Sequence, residues 1–149
     1  MMSDSIVRSI DLNAPLERVW RALTDYREFG EWFRVAIDAP FRVGEPASGH
    51  ITHHGYEHIR WQIRIVAMDE PHRFAFTWHP YAIDPRIDYA QEEPTLVEFR
   101  LQPSGQGTRL TLTESGFDKV PAHRRDEALR MNGDGWTAQM DNIRAHVDG

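Results

Sequence analysis

PAHRRDEALRMNGDGWTAQMDNIRAHV, residues 121–147, is the stretch that decides the fold. Leu129, Trp136, Met140, Ile143 and Val147 fall at i, i+7, i+11, i+14 and i+18, a single apolar stripe along one long helix. Asn132 lies on that stripe between Leu129 and Trp136. Gly133 and Gly135 each weaken the helix centre by about 1 kcal/mol relative to Ala. A kink, or the close approach of another group to the backbone, would account for them. His123-Arg124-Arg125 reads as the solvated start of the helix, with contact to a partner as the alternative.

Upstream the pattern changes to strands. Residues 5–12 alternate, with Ile6, Arg8, Ile10 and Leu12 against Val7, Ser9 and Asp11. Pro15 opens a short amphipathic helix carrying Leu16, Val19, Trp20 and Leu23. Asp25 and Glu28 form an Asp-x-x-Glu box that starts a second short helix with Tyr26, Phe29, Trp32 and Phe33. Strands are expected over 33–39, ending at Pro40, over 48–54, and over 58–68, where Trp61, Ile63 and Ile65 share a face. Phe74, Phe76 and Trp78 share a face of the next strand. Val97, Phe99 and Leu101 follow on another, and Leu110, Leu112 and Glu114 on the last. Ser104-Gly105-Gln106-Gly107 is a hairpin turn. Residues 79–94 hold three prolines and no clear period, so they read as a long loop of the kind that is often functional.

Strands with one apolar face must cover it, and the C-terminal helix is the element long enough to do so. The expected architecture is α+β: a curved antiparallel sheet wrapped around a long C-terminal helix, with two short helices after the first strand. Residues 1–149 are expected to form one domain. Space between a curved sheet and a helix is a candidate pocket.

Composition narrows the functions. The net charge is −6, which disfavours nucleic acid and anionic membranes as partners. No cysteine is present, which excludes disulfides, thiolate metal sites and cysteine nucleophiles. Residues 1–12 show no leader pattern and no apolar run is long enough to span a bilayer, so a cytoplasmic protein is expected. His50 and His54 share a strand face, but four residues of strand separate them by about 13 Å, too far for two ligands of one metal. Ser115 lacks the flanking glycines of a nucleophile elbow. No metal and no cofactor are expected.

The order of elements is joined by a wording: Ala14-Pro15-Leu16-Glu17-Arg18-Val19-Trp20, then Phe76-Thr77-Trp78-His79-Pro80, Val97-Glu98-Phe99-Arg100-Leu101, Gly107-Thr108-Arg109-Leu110 through Gly116-Phe117, and Gly135-Trp136 with Asn142-Ile143. With these the chain resembles the START-like superfamily of helix-grip proteins. It is most similar to the branch related to the C-terminal domain of the activator of Hsp90 ATPase, and the separate N-terminal domain of the eukaryotic activators is not expected. The resemblance implies the helix-grip fold and leaves three activities open. They are non-catalytic binding of a small hydrophobic molecule (lipid, sterol, flavonoid or polyketide-like), a polyketide cyclase-like enzyme, and an Hsp90 co-chaperone-like interaction module. It also leaves a chaperone and a second copy of the chain as partners.

The expected ligand-contacting set is Trp61, Phe74, Phe76, Trp78, Phe99, Leu112, Glu114, Asn132, Trp136 and Met140. The aromatics serve equally as core. Glu114 is either a strand-end carboxylate bonded to a backbone amide or an Arg, or a polar handle or general acid/base. Asn132 raises the same choice from the helix. His79, Tyr81 and Tyr89 could close over the mouth of a pocket.

Overall fold

The structure is a computed structural model describing residues 5–148. Met1–Asp4, on which the reading of no leader partly rests, lie outside the described residues.

The chain opens with strand β1 (Ser5–Leu12) and two short helices, α1 (Leu16–Thr24) and α2 (Tyr26–Phe33). Pro15 is the residue before α1 rather than its first helical position. The Asp25 carboxylate caps α2, accepting from the amides of Arg27 and Glu28. Glu28 does not reach back to complete a box. Its carboxylate instead takes Arg18 at 2.5 Å and Arg21 at 2.7 Å from α1, and His146 at 2.9 Å from the C-terminal helix. One carboxylate thus ties all three helices together. Trp32 adds a buried bond from its indole N–H to the carbonyl of Ala22 at 2.8 Å.

Six more strands follow: β2 (Val35–Ile37), β3 (Pro46–Ile51), β4 (Arg60–Asp69), β5 (Arg73–Trp78), β6 (Thr95–Ser104) and β7 (Gly107–Ser115). They form one antiparallel sheet in the order β1-β7-β6-β5-β4-β3-β2. Helix α3 (Ala122–Asp148) crosses its concave face, which is the helix-grip fold. No helix among the described residues is long and apolar enough to cross a membrane.

Three boundaries differ from the pattern reading. The strand expected over 33–39 is only Val35–Ile37, because Phe33 is still helical and Arg34 ends α2 in the left-handed region at φ 70°. The strand expected over 48–54 starts at Pro46, a first-residue position that proline tolerates, and stops at Ile51. The next begins at Arg60, after a turn in which Gly55 takes φ +92°. Gly49 is required where β3 passes β2: a Cβ there would lie 1.9 Å from the carbonyl oxygen of Ala36.

Sheet curvature has a visible source in β4. Ile65 pairs with Phe76 and Ala67 with Ala75, so Val66 is an extra residue, and such a bulge bends its strand. The concave face is filled. Phe29, Phe74, Phe76, Phe99 and Leu112 are fully buried, and rings from α2, β5, β6 and α3 interlock with centroids 5–6.5 Å apart. The α3 stripe meets them through Trp136, Met140 and Ile143. Gly133 is the site of a close approach. The Arg8 guanidinium from β1 donates to its carbonyl at 3.0 Å and lies 3.3 Å from where a Cβ would be.

Burial raises the pKa of the Glu28 carboxyl, but the bonds from His146, Arg18 and Arg21 outweigh it and hold it below the ordinary glutamate value. A folded-state pKa below the unfolded one gives stability that is present above the unfolded value and lost as pH falls through the folded one. Glu28→Gln is therefore expected to lower the urea midpoint at pH 7, and the deficit relative to wild type to shrink as pH falls below about 4. A deficit of the same size at pH 7 and pH 3 would show that the charge of Glu28 does not hold the helices.

Candidate functional site

Glu114 sits near the end of β7 with the parity of Leu110 and Leu112, so its side chain points into the concave face, and it is fully buried. A buried carboxylate is costly unless every lone pair finds a donor. Here four side chains supply them. Oε1 accepts the indole N–H of Trp136 at 2.8 Å and the amide of Asn132 at 3.0 Å. Oε2 accepts the indole N–H of Trp78 at 2.7 Å and the hydroxyl of Thr95 at 2.5 Å. Neither an Arg nor a backbone amide is among its partners, in contrast to the simpler reading of a strand-end carboxylate. Both indoles can only donate, so both oxygens are committed as acceptors. The group joins β5, β6, β7 and α3 at one point.

The space expected between sheet and helix is occupied by rings. The hollow opens instead at one end of the grip, past the end of β5. Pairing of β5 with β4 runs from Asp69↔Arg73 to Arg64↔Thr77, so residues 60–63 of β4 continue beyond it. A groove of about 840 Å³ lies there, bordered by Phe33, Trp61, Ile63 and Trp78, and by Tyr81 and Tyr89 of the 79–94 loop. A smaller hollow of about 100 Å³ shares Phe33, Trp78 and Gly135 with it and ends on Asn132 and Trp136.

Of the expected ligand-contacting residues, the structure brings Trp61 and Trp78 to the groove, and Trp78, Asn132 and Trp136 to the adjoining hollow. Phe74, Phe76, Phe99, Leu112, Glu114 and Met140 lie in the core and border neither. Phe33 and Thr95 were not singled out by pattern. Thr95 was within reach, since it has the inward parity of Val97 and Phe99. Phe33 reads as helix core, and only the tertiary fold sets it at the groove.

The 79–94 loop contains one short 3-10 turn, Tyr89–Gln91. Its base is clamped to α3. Arg124, 10% exposed and not a solvated residue, pairs with Glu92 at 2.5 Å, donates to the carbonyl of Pro80 at 2.8 Å and lies over the Tyr89 ring at 4.8 Å. The sequence hid this because a basic residue in the first turn of a helix looks solvated until its partner, remote in sequence, is placed. His79, at the start of the loop, bonds the carbonyl of Glu92 at 3.0 Å, and the Tyr89 hydroxyl accepts from the amide of Asp84 at 3.1 Å.

Glu114→Gln keeps the shape but puts an N–H2 where a donor-only group already points. We expect a loss of roughly 3 kcal/mol in urea unfolding, with the indole proton of Trp78 or Trp136 moving upfield in NMR spectra. An unchanged stability and unchanged indole signals would contradict the four-donor arrangement.

No curated protein matches the chain. Among solved structures, protein MLL2253 from Mesorhizobium loti superposes with a TM-score of 0.75 at 26% identity, over 97% of this chain and 96% of that one. DynU16, a protein of the dynemicin biosynthetic locus, gives 0.74 at 20% identity over 97% of this chain, which spans 47% of its length. The Aha1 dimer from Colwellia psychrerythraea gives 0.71 at 14% identity, over 99% and 97%. At such identities the last two show the fold alone. The family described as activator of Hsp90 ATPase homolog 1-like protein matches residues 13–148, and the chain belongs to that family.

Proposed function

We propose that the protein is a non-catalytic binder of one small, largely apolar molecule, seated in the groove beside Phe33, Trp61 and Trp78. The observation that carries this reading is the cavity itself. Its volume of about 840 Å³ falls within the range of ligand sites, roughly 300–1,000 Å³. Much of its border is ring and aliphatic surface, joined by Arg60, Gln62, Arg64, Thr77, His79 and Asp88.

The state of Glu114 favours binding over chemistry. A general base must reach the proton it takes. Glu114 borders neither hollow, and both its oxygens are already bonded. His79 is likewise held by a carbonyl, and Tyr89 by an amide. The locus named for DynU16 fits a fold used around small molecules. Membership of the family favours a second reading, contact with an Hsp90-type chaperone.

The test is an NMR titration of the labelled protein with fatty acids, sterols, flavonoids and aromatic polyketides. We expect one class to shift Phe33, Trp61, Trp78 and Tyr81 saturably. No saturable shift at these residues would overturn the reading. A rise in Hsp90 ATPase activity on adding the protein, with the groove signals unmoved by every class, would put the chaperone contact in its place.

A further inference from the structure

Three of the indole N–H groups have a partner: Trp32 donates to Ala22, and Trp78 and Trp136 donate to Glu114. Trp61 does not. Its ring is 5% exposed and borders the groove, and its Nε1 is the buried side-chain nitrogen or oxygen without a partner among the described residues. Buried donors in folded proteins are almost always satisfied, and an orphan calls for an explanation. The aromatic rings packed on the Trp61 indole, Phe29 and Phe33, offer no acceptor oxygen in their side chains.

We infer that the ligand carries a neutral oxygen acceptor, a ketone, quinone or ether, and that the indole N–H of Trp61 is the group that recognises it. This rests on the groove being the binding site. The acceptor is neutral because the ring lies on the buried face of β4. A carboxylate brought there would need a cation, since an unpaired buried charge is far costlier than an unpaired dipole. Arg60 and Arg64 also border the groove, but their side chains leave β4 on the exposed face opposite Trp61, where they are bonded to the Ser48 hydroxyl at 3.1 Å and the Gly44 carbonyl at 3.0 Å. An oxygen hydrogen-bonded to Trp61 fixes one end of the ligand, and the apolar remainder lies along Phe33 and Trp78.

The experiment compares two probes of one shape. 2-Acetylnaphthalene has a carbonyl where 2-isopropenylnaphthalene has a methylidene. Binding is followed by the five indole N–H signals of the nitrogen-labelled protein, with the Trp61 signal assigned by its loss in Trp61→Phe. The expected result is that both probes bind, the ketone about fivefold or more tightly, because removing an acceptor from a site that offers a buried donor leaves that donor unpaired. The Trp61 indole proton moves downfield with the ketone only, and Trp61→Phe brings the two affinities together while still binding the hydrocarbon. Equal affinities in the wild type, or a tighter ketone that leaves the Trp61 signal in place, overturn the proposal while leaving the groove as a binding site. If neither probe, nor any class of the wider panel, perturbs the groove, the binding function fails and this inference with it.

Discussion

One carboxylate, accepting two indole N–H groups, one from the sheet and one from the helix, sets the geometry of everything around it. The bonds from Trp78 and Trp136 to Glu114 fix the end of β5 and the middle of α3 relative to β7. Thr95 and Asn132 complete the set. A carboxyl group taken out of water must have its oxygens satisfied, and here four hydrogen-bond donors do so. Dipolar partners have fixed directions. Each ring therefore has one orientation, and the faces of Trp78 and Trp136 that remain form walls of the groove and of the hollow beside it.

That arrangement separates two jobs a concave aromatic face could do. Between sheet and helix the rings of Phe29, Phe74, Phe76 and Phe99 are buried and pack against one another. At the open end β5 stops while β4 continues, and the chain must leave the sheet and return through residues 79–94. The space left there is bordered by the edge of a strand, the end of α2 and a loop clamped by Arg124. A polar pin inside and a salt-bridged strap outside thus flank the cavity.

Much of this was legible in the sequence. The apolar stripe of α3, the alternation of β4 to β7 and the two short helices follow from periodicities of 3.6 and 2, and periodicity survives tertiary context. The inward parity of Glu114 was legible, as was Asn132 on the same helix face as Trp136. What the parity could not give was the partner: hydrogen bonds between residues 18 to 36 positions apart need the register of three strands and the roll of a helix. The site of the groove was hidden for a related reason. It depends on where β5 ends relative to β4, a matter of pairing and not of composition. Phe74 and Phe99 carry the same pattern as Trp61 and Trp78 but lie on the closed side. Arg124 was hidden because its partner Glu92 stands in the segment with no period at all.

The central claim, a solid sheet–helix interior with an open apolar cavity at one end, is tested most directly by crystallography under xenon pressure, since xenon fills empty apolar space. The account predicts xenon beside Phe33, Trp61 and Trp78, and none in the layer of Phe74, Phe99 and Met140. Xenon between Phe99 and Met140, with the groove empty, would contradict it.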